Sequence, residues 1–388
     1  MSDRAPRRGE RARLALAGLG FLAWVAACAP GPPSEPPAAE VAAAVEAEVD
    51  AYLDDADSYG QVRAVLVYDG SDPVLERYSD ATPEDYWDTH SVTKSVVSVL
   101  VGAAIEQGYL EGADQTLGEL LPDHAEAMTR EVAAITLEEV LTHTAGFEDC
   151  CWSGGSPTFE DSPDWVRALL TERSAAELDD PQFAYSEAGS HLAAAIVAEA
   201  TGTPLLEFAR THVFDPLGIP SDPAFAAPFA VPDDPGLASF LDAYYDADFA
   251  WPVDPQGINS GSTSLKLRPQ DLARIGQLYV NEGRWEGEQV VPASWVQEST
   301  RAHVQAFGTA DAYGYLWWVT EVDGDPAYLA WGYGGQLLEV IPNRQLVVVI
   351  ATEADLRDPL VDVKASTFGP AVAQEAVQSW IAPHFPAE

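Results

Sequence analysis

The sequence predicts an α+β fold, a mostly antiparallel sheet flanked by terminal helices with a mostly helical lobe inserted between its strands. Three observations point to it. Strand-like runs come early, at 61–68 and 73–78, and again late. Helical periodicity and helix stop signals fill the middle, and a helical segment at 370–381 closes the chain. With 388 residues and 47 % hydrophobic content, the chain can bury a large core in one two-lobed unit. That domain is expected at about 41–388, its α/β part at about 41–90 and 265–388 and its helical insertion at about 91–264.

Residues 1–27 precede it. Arg4, Arg7, Arg8, Arg11 and Arg13 form a basic head before an apolar run too short to span a membrane comfortably, which reads as an export signal. The run ends in Val25-Ala26-Ala27-Cys28, which resembles the lipobox of bacterial lipoproteins, in which the cysteine becomes the lipidated first residue. A Pro-rich stretch to about residue 40 then reads as a tether. An exported, lipid-anchored location in the cell envelope is therefore expected, with the anchor as the chain's one contact with a membrane.

The elements follow in order. Residues 38–54, rich in Ala and Glu, read as a helix. Asp69-Gly70-Ser71-Asp72 turns the first two strands into a hairpin. Residues 89–105 read as an apolar helix that ends before Gly108. Thr136 and Glu139 form a capping box that opens a helix at 135–144. Helical patterns follow at 162–173, at 189–201 closed by Gly202, and at 204–213. Residues 220–264, rich in Pro and aromatics, read as a long irregular stretch walling a cleft. A helix at 268–279 precedes strands at 313–319, 327–331, 336–341 and 345–351, with Pro342-Asn343-Arg344 turning the last pair.

Charge and cysteine content exclude several functions. The net charge is −42, and it becomes −45 once residues 1–27, with five Arg and two acids, are removed. Such a surface repels nucleic acid and anionic headgroups. Cys150 and Cys151 are neighbours, which disfavours a bridge between them, and no zinc-ligand spacing occurs. No metal or other cofactor is implied.

The chemistry centres on Ser91 and Lys94. Three residues apart on a helix, they share a face, so the amine can reach the hydroxyl. Ser-x-x-Lys alone is a common pattern, and an N-cap serine before a chance lysine would produce it. Yet the chain has only three lysines, and this one opens an otherwise uncharged helix, where burial of a charge is costly without a use. Burial is expected to lower the amine's pKa and let it activate the serine, while the helix N-terminus favours an oxyanion nearby.

With these residues in place, the chain from about 60 to 380 resembles the serine β-lactamase and penicillin-binding-protein-like hydrolases, in particular the group related to class C β-lactamases that includes esterases and 6-aminohexanoate-dimer hydrolases. The first motif is Ser91-Val92-Thr93-Lys94. The family's Tyr-x-Asn falls on Tyr185-Ser186-Glu187, and its Lys-Thr-Gly on Gly332-Tyr333-Gly334 before Gly335. Leu141-Thr142-His143-Thr144-Ala145-Gly146 and Tyr313-Gly314-Tyr315-Leu316-Trp317-Trp318 support the likeness.

The resemblance implies a serine hydrolase acting on a small ester, amide or peptide. Tyr185 would act with Lys94 as general base and then acid. The backbone N–H groups of Ser91 and Gly335 would form the oxyanion hole, with Glu187, Tyr333 and Gly334 lining the substrate. Two departures stand out. Glu187 replaces an Asn, and three placements are open to it: pairing with Lys94, pairing with a substrate cation, or facing solvent. Gly332 replaces the cation that holds a β-lactam carboxylate, which favours a neutral ester or amide. A D-Ala-D-Ala carboxypeptidase or β-lactamase is the alternative enzyme, and a silent cell-wall binding protein the alternative outside catalysis. His90, His143 and His191 are expected to be structural.

Overall fold

The computed structural model describes residues 38–54, 59, 61–147, 159–175, 182–230, 235–306, 310–355, 357 and 370–387. The signal segment, Cys28, the tether up to residue 37 and the Cys150–Cys151 pair lie outside the described residues.

Eight strands form one sheet: β1 (Val62–Asp69), β2 (Asp72–Tyr78), β3 (Val304–Gln305), β4 (Ala312–Tyr313), β5 (Trp318–Val322), β6 (Asp325–Gly332), β7 (Gln336–Ile341) and β8 (Leu346–Thr352). They run in the order β2-β1-β8-β7-β6-β5-β4-β3, every pairing antiparallel. β7 and β8 are buried at every position, which their near-continuous apolar runs require of strands covered on both faces. β2, at the edge, is half exposed.

Both faces are covered by helices whose residues explain their places. Helix α1 (Ala38–Asp54) buries Val45, Val49 and Tyr52 and packs with the C-terminal segment around Val377 and Ile381. It begins at Ala38, so residues 38–40, assigned above to the tether, are helical. Along β7, successive side chains point to opposite faces. Leu338 and Val340 meet a helix at Pro269–Val280, with Val347 beside them at Gly276. Glu339 points the other way.

Glu339 breaks the apolar pattern. It is 0 % exposed, and neither carboxyl oxygen has a hydrogen-bond partner among the described residues. Burial alone pushes its pKa up to about 8.

Helix α2 (Val92–Glu106) buries every residue from Val92 to Ala104, as its apolar sequence demands, and packs between the sheet and the helical lobe. The short helix α3 (Leu137–Leu141) carries the expected capping box: Thr136 Oγ1 accepts from Glu139 N at 3.2 Å, and the Glu139 carboxylate accepts from Thr136 N at 2.7 Å. In the lobe, helix α4 (Trp165–Ala175) packs on helix α5 (Glu187–Thr201), and α5 packs on α2.

Two expectations change. The stretch 220–264 is not irregular throughout, because it contains a helix at Leu237–Asp246 whose Phe240 and Tyr244 pack on Phe225, with Tyr244 buried. The strand expected at 313–319 is two, β4 and β5. Leu316 breaks it with φ +60°, pinned by its N–H on Leu141 O (3.0 Å) and by Ser95 Oγ on its carbonyl (2.6 Å).

Candidate active site

The approach to α2 aims Ser91. His90 sits in the left-handed region at φ +46°, a strained conformation for a residue with a side chain. Two ties hold it: His90 N donates to Asp88 Oδ1 at 2.8 Å, and its ring meets Tyr333 edge-on at 5.6 Å. Thr89 is fixed in turn through its N–H and hydroxyl on Leu265 O, at 3.0 and 2.8 Å. Ser91 then stands at the N-cap of α2, its φ −68° and ψ −5° already helical.

One turn on, Lys94 is 1 % exposed, and its Nζ reaches four acceptors. It donates to Ser91 Oγ at 3.1 Å, to the two Glu187 oxygens at 2.9 and 2.8 Å, and to the Ser262 carbonyl at 2.9 Å. Burial acts to lower the Lys94 pKa, but the Glu187 carboxylate and Tyr185 more than offset it, and the net shift is upward. The resting lysine is an ammonium. This corrects the expectation that burial leaves a neutral amine beside Ser91.

α5 delivers both partners. Ser186 caps it, accepting from Gly189 N at 3.2 Å, so Glu187 is the first helical residue, where the helix dipole favours a carboxylate. Tyr185 is positioned by Ala184 N on His143 O at 2.9 Å. Its ring lies 4.8 Å beneath Lys94 Nζ and stacks on Trp318, with centroids 5.5 Å apart and planes 19° apart. Trp318 stacks on Trp331 at 4.8 Å and 19°, which extends the aromatic wall. Burial raises the Tyr185 pKa; Lys94 and contact with Ser91 pull it back without cancelling the rise. The neighbouring His143, 5.0 Å away centroid to centroid, is pushed down to about 3 by burial and by Lys94, and stays neutral.

The fourth side of the site is the end of β6. Gly332 lies so close to the start of α2 that a Cβ would fall 2.3 Å from Thr89 O and 3.1 Å from Ser91 N. A side chain at 332, cationic or not, therefore has no room on this backbone. Beyond it, Gly335 adopts φ +88°, open to glycine and costly for other residues, and the Gly334 carbonyl is held by Thr352 Oγ1 at 2.7 Å. Ser91, Lys94, Tyr185 and Glu187 thus converge, with the glycine turn opening next to the Ser91 backbone.

Sequence reasoning missed the Ser262 carbonyl and Trp318. A carbonyl leaves no residue-type signal, and Trp318 was read within a supporting motif. His191 is buried away from Ser91's partners, its Nε2 3.2 Å from Asp254 Oδ2. No group of His, Cys, Asp and Glu able to hold a metal ion occurs among the described residues.

Comparison with known proteins places these features in context. The family model described as Beta-lactamase matches residues 47–366. A 6-aminohexanoate-dimer hydrolase from Paenarthrobacter ureafaciens is 25 % identical over 309 residues, 74 % of this chain and 71 % of that one. The octameric penicillin-binding protein homologue from Pyrococcus abyssi shares the fold with TM-score 0.61 at 15 % identity, covering 86 % of this chain and 76 % of its own. EstCE1, a hydrolase with promiscuous acyltransferase activity, does so with TM-score 0.61 at 17 % identity, covering 85 % of this chain and 100 % of its own.

Proposed function

The chain belongs to the β-lactamase family, and we propose that within it the protein is a serine hydrolase that cleaves a neutral ester or amide through an acyl-enzyme on Ser91. The observation that carries this reading is the 3.1 Å contact between Ser91 Oγ and a Lys94 Nζ sealed from water.

Ser91 Oγ attacks the substrate carbonyl, and its proton leaves into the cluster of Lys94 and Tyr185. The tetrahedral oxyanion forms at the N-terminus of α2, against the backbone N–H groups of Ser91 and Gly335. Tyr185, kept protonated by burial, donates to the leaving alcohol or amine. Water then repeats the sequence on the acyl-enzyme and frees Ser91. Gly332 supports an uncharged substrate, since no side chain fits there to hold a carboxylate. The 6-aminohexanoate-dimer hydrolase and EstCE1 named above support the same range of chemistry.

A fluorophosphonate probe is expected to label the wild type and not Ser91→Ala, and p-nitrophenyl butyrate to be hydrolysed by the wild type alone. Equal labelling of both proteins would refute the nucleophile. Nitrocefin is expected to turn over poorly. An exported, lipid-anchored location through Cys28 belongs to this proposal: Cys28→Ser is expected to leave the membrane fraction, and its retention there with lipid attached would overturn the anchor.

A further inference from the structure

An ammonium cannot accept a proton unless it gives one up. Lys94 faces Ser91 on one side and both oxygens of Glu187 on the other, all within 2.8–3.1 Å. The side chain of Glu187 is 12 % exposed, so its charge is answered chiefly by this lysine. We propose that Glu187 is the positioning residue that lets a charged Lys94 work as a base: it holds the ammonium against Ser91 and takes one of its protons as Lys94 takes the proton of Ser91. The proposal rests on the reading of Ser91 as nucleophile and adds the destination of its proton.

The step balances. The Ser91 O–H bond breaks and an N–H bond forms on Lys94. A different N–H bond of the same ammonium breaks, and an O–H bond forms on Glu187. Lysine stays cationic throughout, and the negative charge passes from Glu187 to the attacking oxygen and on to the substrate's carbonyl oxygen. The ammonium then lies beside the charge as it develops, where a neutral amine would stabilise it less. When the intermediate collapses, the leaving group takes the Tyr185 proton, and the proton held by Glu187 passes through Lys94 to restore the Tyr185 hydroxyl.

The surrounding groups leave Glu187 in this role. Tyr185, packed on Lys94, has its pKa raised by burial and is a poor resting base. His143, on the segment after α3, is held neutral, and Tyr313 of β4 is held protonated by burial. His191, one turn along α5, is engaged with Asp254. His90, at the mouth of α2, faces Asp88. The Ser262 carbonyl accepts from Lys94 and cannot take a proton at working pH.

The test is the pH profile of kcat/KM for a p-nitrophenyl ester in the wild type, Glu187→Gln and Glu187→Asp, with Ser91→Ala as the floor. Glu187→Gln is expected to lose about 100-fold at pH 7. Its residual activity should climb as pH rises, because burial without the counter-charge lowers the Lys94 pKa and restores a neutral amine. Glu187→Asp, which keeps a carboxylate, should retain the wild-type profile within about tenfold. A Glu187→Gln enzyme with the wild-type rate and profile would overturn the proposal, as would an equal loss at every pH. Should Glu187→Gln not fold, acylation of the wild type in mixtures of light and heavy water decides. A curved dependence on deuterium content, two protons in flight, supports the relay, and a straight one overturns it. Full activity in Ser91→Ala would instead remove the serine reading beneath it.

Discussion

Lys94 and Glu339 are both sealed from water, yet the protein treats them in opposite ways. Lys94 meets a carboxylate, a hydroxyl and a carbonyl, and its pKa is raised, so it stays charged. Glu339 meets none of these, its pKa rises to about 8, and it is neutral at pH 7. Burial weakens the charged form in both cases. Partners decide the outcome: the cleft supplies them to Lys94, and among the described residues none reaches the Glu339 carboxyl. A charge in the interior therefore marks the place where the fold has gathered acceptors for it, and a buried acid without them marks a cost in stability.

Lys94→Met breaks this contrast from the paired side and should have the largest effect. Ester hydrolysis is expected to fall at least about 1,000-fold, beyond the loss for one proton-transfer group because the lysine also holds the forming charge. Stability should drop by about 3 kcal/mol, since Glu187 is left uncompensated. Adding Glu187→Leu should restore the melting temperature and not the activity, a double-mutant cycle that separates pairing from chemistry. If the single variant melts like the wild type, the pair is not the anchor described here.

Glu339→Leu breaks it from the other side. At pH 8 the melting temperature should rise by roughly 5 °C, with ester hydrolysis unchanged. A fall would mean that the carboxyl has an unseen partner. The smallest and sharpest effect is the pH dependence of that gain. The folded state holds the Glu339 proton up to about pH 8, whereas the unfolded chain releases it near 4.5. Between those values the wild type loses stability from this group as pH rises, so the advantage of Glu339→Leu should grow over that window and level off above it. His143 runs the opposite way. With its pKa near 3 folded and 6.5 unfolded, its contribution is lost as pH falls through 6.5 towards 3. Differential scanning calorimetry from pH 4 to 9 reads both slopes.

The features legible in the sequence were those encoded locally. Ser91 and Lys94 are one helical turn apart, the Thr136–Glu139 box spans four residues, and β7 was placed to the residue because Pro342-Asn343-Arg344 punctuates its end. What escaped depends on contacts distant along the chain. The charge on Lys94 is set by Glu187, 93 residues away, and by a carbonyl 168 residues away. The split between β4 and β5 comes from Leu316, whose backbone is held by α2 and α3. The helix at Leu237–Asp246 was hidden by the prolines flanking it. Gly332 could be read as a missing cation, whereas the reason for its smallness required the coordinates.

That strand end also bears on how such a protein can change under selection. A lineage exposed to penicillins gains nothing from one codon change at Gly332, because any larger residue would collide with the Thr89 carbonyl before its charge could serve. Antibiotic resistance by that route would need a prior mutation that draws the edge of β6 back, so the two steps must occur in that order.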